Sequence, residues 1–334
     1  MTDLDSDEPE HPFAPFVRTL GRGPGRSRGA DPGRSARRAR PRPAGQGRAG
    51  ADRRIPDAAA LPHRGEDAHE IAGLVEAARA ASSGASTRID LDWPSYGAGR
   101  TRKAPWFLLA ALALARSGRT ILMHGSNAFS GSQSVGEALV ALGLRPAADR
   151  AEAATMIAET GFAYLPVAAF APGIHRLLGL RRLLGLRSPI NTVARLLDPF
   201  DAPAGIDGVF HPAYIETHLA TAERLGRPRL VLVKGGGGEA ERNPAKPLSA
   251  HLYQRGSSRR ELTLPALAIP PVSTPDLVAL WRGEAGDTAE GAIVIGTIAL
   301  ALLALEPDLD PLAADRLADE IWAARHKSRS AGQR

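Results

Sequence analysis

The chain has 334 residues, 43% of them apolar, enough to bury a sizeable core in one large or two modest domains. It holds no cysteine, which excludes disulfides and thiolate metal sites and suits a reducing cytoplasm. The formal net charge of +6 belongs to one stretch. Nine arginines between positions 29 and 65 stand against three aspartates, so the rest of the chain is formally neutral.

Residues 1–10 are acidic, not basic and then apolar, so they do not read as a secretory signal. The basic stretch, with Arg37-Arg38-Ala39-Arg40-Pro41-Arg42-Pro43 at its heart, has almost no large apolar residue before Ile55 and Leu61. It buries too little to offset ordering entropy, and residues 1–65 are expected to be largely disordered. Three origins stay open: a basic arm for nucleic acid, a solvated linker, or a reading-frame slip in a GC-rich gene.

Order is expected from Glu66. Ile71, Leu74, Val75 and Ala78 share one face of a helix over 69–81, and Ile89–Trp93 alternates as a strand. A loop rich in Gly and Arg (97–103) precedes Pro105, which opens an apolar, hence buried, helix to Arg116. Strand 120–123, a polar loop to Gln133 and a helix over 134–142 ended by Gly143 follow. Next come helix 151–159, strand 162–167 and two helical pieces over 172–197 broken at Ser188-Pro189. A helix over 212–225 leads to strand 229–233 and the run Gly235-Gly236-Gly237-Gly238. Segments 250–254 and 259–264 alternate as a strand pair, and helices are expected over 290–305 and 312–324. The apolar run 292–305 is too short to span a bilayer, so no membrane is implied. Alternating strands and helices predict an α/β fold, a mostly parallel sheet flanked by helices, with ligands at the carboxyl ends of strands.

Two junctions carry the functional signal. Met123-His124-Gly125-Ser126-Asn127 and Arg187-Ser188-Pro189-Ile190-Asn191 each hand over to a helix, where backbone N–H groups suit an anion. The glycine run after Val233-Lys234 lets backbone approach a ligand, with Arg242 and Lys246 beyond it. Glu239 and Glu241 could hold a hard cation such as Mg²⁺, or be merely solvated. His211 and His218 lack comparable company and read as structural or exposed. No zinc spacing, Walker loop or Gly-x-Ser-x-Gly is present.

The order of these pieces resembles glycosyltransferase family 3, the anthranilate-phosphoribosyltransferase-like family, over roughly residues 66–305. The family's Lys-His-Gly-Asn-Arg stretch, Ser-Ser pair and following helix match Met123–Gly143. Its Arg-Thr-Ile-Phe-Asn segment, ending in Asn-Pro, falls on Arg187–Pro199. Its His-Gly loop, ending in Asp-Glu, falls on Lys234–Glu241, and Phe170-Ala171-Pro172 with His175 is also similar. The resemblance implies a small helical domain, of which 66–84 would be a remnant, and an α/β domain over 85–327, with 328–334 a disordered tail. It further implies phosphoribosyl pyrophosphate between the domains, Mg²⁺ with Glu241 as ligand, and a homodimer. Several motif positions differ. The Gly-Thr-Gly-Gly-Asp loop lands on Ser95-Tyr96-Gly97-Ala98-Gly99, Asn-x-Ser-Thr lands on Pro105-Trp106-Phe107-Leu108, and the loop aspartate is Ala240.

The expected site is therefore a cationic cleft for a phosphorylated sugar or nucleotide. Gly97, Gly99, Arg100, Arg102 and Lys103 would hold phosphate, and His124, Gly125, Asn127, Ser130 and Ser132 the sugar-phosphate side. Arg187 and Asn191 would orient an acceptor or second anion, with Lys234 and Gly235 closing the set. Such a protein is a divergent pentosyl or phosphoribosyl transferase of unknown acceptor, not a true anthranilate phosphoribosyltransferase. The alternative is a non-catalytic dimeric nucleic-acid binder using the same cations, with Tyr96, Trp93 and Trp106 either stacking on bases or packed in the core.

Overall fold

A computed structural model describes residues 67–82, 84–97, 104–126, 134–184, 188–243, 245–268 and 275–326. The basic stretch lies outside these residues. Among the described residues the first element is α1 (Ala68–Ala80), whose first turn is capped by the Asp67 carboxylate accepting from the His69 N–H. Then come β1 (Leu91–Ser95), α2 (Trp106–Arg116), β2 (Ile121–Gly125), α3 (Val135–Ala141), α4 (Arg150–Thr160) and β3 (Phe162–Pro166). The single turn α5 (Val167–Phe170), α6 (Pro172–Leu184) and α7 (Ile190–Arg195) lead to β4 (Ala204–Val209), α8 (Tyr214–Arg224) and β5 (Arg229–Lys234). The hairpin β6 (Leu248–Gln254) and β7 (Arg260–Leu264) precedes α9 (Leu277–Arg282), α10 (Ala289–Leu305) and α11 (Pro311–Ala323).

Local signals set many of these boundaries. Ser134 and Glu137 form a reciprocal capping box on α3, and Asp149 caps α4, which ends at Gly161 in the left-handed region (φ +81°). Four elements depart from the sequence reading. β1 and β2 run two residues further than expected, to Ser95 and Gly125, and α9 joins the predicted helices. β4 is a strand that Ala204-Gly-Ile-Asp-Gly-Val does not announce, because two glycines and an aspartate obscure the apolar alternation.

The seven strands form one sheet in the order β3-β2-β1-β4-β5-β6-β7. The first five are parallel and the last two pairings antiparallel. On one face α2, α10 and α11 pack over Leu91, Trp93, Ile121, Ile206 and Val231. Both α2 and α10 are buried nearly all round, so their apolar composition follows from lying between sheet and α11. On the other face Ile71 and Val75 of α1 share a core with Leu122, Leu165, Ile157 and Val193. Thus α1 packs directly on the α/β body. Among the described residues no helix is long and apolar enough to cross a membrane.

The sheet order reverses between β1 and β4. The chain moves outward from β1 through β2 and β3, then returns to β1's other side for β4 and β5. In open parallel sheets ligands bind at the carboxyl ends of strands at such a reversal. That crevice is bounded here by Tyr96-Gly97 after β1 and Phe210 after β4.

Candidate functional site

Several sequence-selected residues meet at this edge. Gly125 ends β2 in register with Ser95 of β1, and Lys234 ends β5 in register with Val209 of β4. Gly97 and Gly235 both lie against the loop residue Glu239: a Cβ on Gly97 would stand 2.5 Å from Glu239 Oε1, and one on Gly235 would strike the Glu239 carbonyl. Gly125 owes its identity to the sheet, since a side chain there would run into the Ser95 carbonyl. Asn191 sits apart, in the first turn of α7, donating to the Ser188 carbonyl. With Ser188, Thr192, Arg195, Phe210, Tyr214 and His218 it lines a shallow, open groove. Lys234 is exposed. Gly99, Arg100, Arg102, Lys103, Asn127, Ser130, Ser132 and Arg187 lie outside the described residues.

His124 is turned inward and fully buried. Its Nδ1 is 2.8 Å from the Tyr96 hydroxyl and its Nε2 is 3.2 Å from Asp92 Oδ1. Asp92 also accepts from Arg227 at 2.9 Å, and Arg227 reaches Asp198 at 3.1 Å. Burial raises the Asp92 carboxyl, but His124 and Arg227 outweigh it and hold it below the usual carboxylate range. For Asp198 burial prevails over Arg227, and its carboxyl is pushed up to about 6. Tyr96 is pushed up well above the ordinary phenol by burial, with Tyr164 and Asp92 adding to the effect, so it stays a neutral hydroxyl.

A second buried network was not foreseen. Asp207 of β4 accepts from Arg195 Nη1 at 3.0 Å and lies 2.8 Å from His218 Nδ1, while Arg195 Nη2 stands 3.6 Å from Glu239 Oε1. Burial raises the Asp207 carboxyl, but Arg195 and His218 pull it below the usual range. Asp207, His218 and Glu239 are each at most 2% exposed. His218 is thus structural in its Nδ1 contact while also lining the groove, and His211 is exposed. The one sequence clue to this network is an acid in the middle of Gly-Ile-Asp-Gly-Val, where a strand offers no solvent.

The aromatic residues considered for base stacking are in the core: Trp93, Tyr96 and Trp106 are at most 6% exposed. Arg242 is likewise buried, paired with Asp315 and the Pro265 carbonyl.

The donor set for a divalent cation can be tested on the carboxylates present. Glu241 Oε2 accepts from the Phe107 N–H at the start of α2, and Glu239 faces Arg195. Among the described residues no group of three or more histidines and acids is placed to hold a metal. These residues do not fit a protein-held Mg²⁺.

A family model described as the glycosyl transferase family, a/b domain, matches residues 107–275. The chain belongs to this family. Among curated relatives, the anthranilate phosphoribosyltransferase of Idiomarina loihiensis is 29% identical over 180 residues, 53% of either chain. That of Pelotomaculum thermopropionicum is 30% identical over 213 residues, 62% of this chain and 61% of the relative. The chain therefore spans only about half to three-fifths of the length of these relatives. The crystal structure of anthranilate phosphoribosyltransferase from Thermus thermophilus superposes with a TM-score of 0.65 at 26% identity, covering 80% of this chain and 84% of that one. The Saccharomyces cerevisiae enzyme in complex with PRPP and Mg superposes at 0.62 with 16% identity, over 78% and 77%, and shares the fold.

Against this family the motif changes acquire a structural meaning. Trp106, Phe107 and Leu108, where the resemblance places Asn-x-Ser-Thr, are buried as the first turn of α2. Ala240, in place of the loop aspartate, is fully buried.

Proposed function

We propose that this glycosyl transferase family member binds a pentose bearing an anomeric phosphate or pyrophosphate at the carboxyl edge of its sheet and passes the pentosyl group to an acceptor other than anthranilate, releasing that phosphate or pyrophosphate. One observation carries the reading. Gly97 follows β1 at the topological switch point, Gly235 follows β5 on the far side of β4, and both lie against Glu239, while the first turn of α2 is apolar and buried. Among the described residues the edge keeps the close-approach backbone of an anion site, and the first turn of α2 lacks the polar side chains that metal-assisted pyrophosphate departure calls for.

Gly97 and Gly235 present backbone and Lys234 a cation. Asn191, across the groove of α7, faces the acceptor side, and His124 acts from beneath by holding the Tyr96 hydroxyl. The shallow groove brings exposed Phe210 and Tyr214 together with Asn191, Thr192 and Arg195, a mixed aromatic and polar surface for an acceptor. That a neighbour of this fold carries PRPP and Mg supports a sugar phosphate as the ligand class. The domain division and dimerisation implied by the resemblance remain part of this proposal.

A thermal-shift panel on the full chain tests it. Phosphoribosyl pyrophosphate, ribose 5-phosphate and ribose 1-phosphate, each with and without Mg²⁺, are run beside oligonucleotides. Sugar phosphates should raise the melting temperature in a saturable way, largely independent of Mg²⁺. A shift given by oligonucleotides alone, steeply weakened by salt, would replace this reading with nucleic-acid binding.

A further inference from the structure

The groove beside α7 also holds a histidine. His218 stands in the second turn of α8, one turn after Tyr214 and on the same face, and both line that groove with Asn191, Thr192 and Arg195. Its Nδ1 lies 2.8 Å from Asp207 Oδ2. The other oxygen of Asp207 is held separately, accepting from Arg195 Nη1 at 3.0 Å and from the Gly208 N–H at 2.7 Å. Burial raises the Asp207 carboxyl, but Arg195 and His218 outweigh it, so it is ionised at neutral pH and can only accept. The hydrogen between the two groups therefore sits on Nδ1. Any proton that His218 gains or loses is carried by Nε2, which has no protein partner among the described residues.

A purely structural role accounts poorly for this arrangement. Asp207 Oδ2 needs one N–H, which an amide side chain supplies without leaving a ring nitrogen unpartnered in a residue only 2% exposed. A carboxylate that fixes the hydrogen on Nδ1 and leaves Nε2 to accept is the construction of a general base. The location agrees with that role. Arg195, another wall of the groove, comes within 3.6 Å of Glu239, and Gly97 and Gly235 lie against Glu239. The groove thus adjoins the edge assigned to the sugar phosphate.

We propose that His218 is the general base of pentosyl transfer, with Asp207 as its positioning residue. Its Nε2 takes the proton from an acceptor whose attacking atom is an N–H or O–H. As that atom bonds to the anomeric carbon, the bond from this carbon to the phosphate or pyrophosphate oxygen breaks, and its electron pair leaves with that oxygen. The proton then passes from Nε2 to solvent. This rests on the reading above that the edge takes a pentose with an anomeric leaving group, and it adds the chemical class of the acceptor.

The test uses the full chain with phosphoribosyl pyrophosphate as pentosyl source, water or aniline as acceptor, and pyrophosphate release as the readout. His218→Asn is the deciding variant, because its amide keeps an N–H for Asp207 and has nothing in place of Nε2. Its turnover should fall by about 100-fold or more, with calorimetric binding of phosphoribosyl pyrophosphate unchanged, and added imidazole should restore part of the loss. His69→Gln, at an exposed position on α1, should match the unaltered chain. Full turnover in a folded His218→Asn overturns the proposal. Should that variant fail to fold, diethyl pyrocarbonate on the unaltered chain decides. Turnover should fall in step with acylation of His218, followed by peptide mapping, and return with hydroxylamine. Turnover that survives complete acylation, or a His218 that the reagent never reaches, overturns the proposal. A chain that binds phosphoribosyl pyrophosphate and turns over with neither acceptor also removes the general base but leaves the binding half of the earlier reading standing. No binding at all removes both.

Discussion

Asp198 holds a backbone conformation (φ +40°) that asparagine and aspartate tolerate best among side-chain-bearing residues, in the turn where the family has Asn-Pro. Its Oδ1 accepts from the Ala202 N–H while Oδ2 faces Arg227 and Arg79. With its carboxyl raised to about 6 against an ordinary 3.8, the native state binds this proton more tightly than the unfolded chain. Stability from this group is therefore full below about pH 4 and lost as pH rises through 6, by about 1–3 kcal/mol. Asp92 and Asp207 are shifted the other way, so their contributions change only below the ordinary aspartate range. Asp198→Asn keeps the turn and the bond to Ala202 but has no proton to lose. Urea unfolding across pH 4–7 should show it gaining on the unaltered chain as pH rises, and parallel curves would refute the assignment. At the second network, Arg195→Met leaves Asp207 and Glu239 buried without their shared cation. It should cost about 3–5 kcal/mol in the same measurement at pH 7.

Elements with local signals were legible from the sequence, and those shaped by distant partners were not. The Ser134–Glu137 capping box, the Asp149 cap and the all-round apolar α2 and α10 each carry their signal within one or two turns. β4 carries none, because its composition answers to groups elsewhere. Gly205 makes room for the Arg227 guanidinium, Asp207 pairs with Arg195 and His218, and Gly208 admits the backbone of 239–240. The same cause hid much of the candidate site. Glycine runs, a histidine at a strand end and Glu239 itself can be seen in sequence, whereas the burial of Glu239 against three glycines and Arg195, in place of a solvated or cation-holding role, cannot. Gly208→Ala should accordingly lower stability by at least about 2–3 kcal/mol, since the main chain of 239–240 cannot yield as a flexible side chain would. Gly173→Ala is the control: it sits in α6 with open space around it and should be neutral or stabilising by up to about 1 kcal/mol. Equal losses in both variants would show that crowding around β4 is not what requires glycine.

At the scale of the whole molecule, charge and fold are kept apart. The excess of +6 resides in residues 29–65, and outside them the formal charges cancel. Within the described body, Arg195 and Arg227 pair with buried carboxylates, Arg242 is itself buried against the half-buried Asp315, and Trp93 and Trp106, considered for base stacking, are packed inside. A nucleic-acid surface needs the opposite: unpaired cations aligned with exposed aromatic rings. Any oligonucleotide binding by the full chain should therefore come from the basic stretch. Each phosphate neutralised on duplex DNA contributes about −0.9 to the slope of log affinity against log salt concentration. Fluorescence anisotropy over a salt series should give a slope of several units for the full chain, falling to about −1 or less in magnitude for a chain starting at Asp67. A truncated chain that kept the full slope would place the cations on the folded body, and the sheet edge would then have to be reconsidered as a nucleic-acid groove.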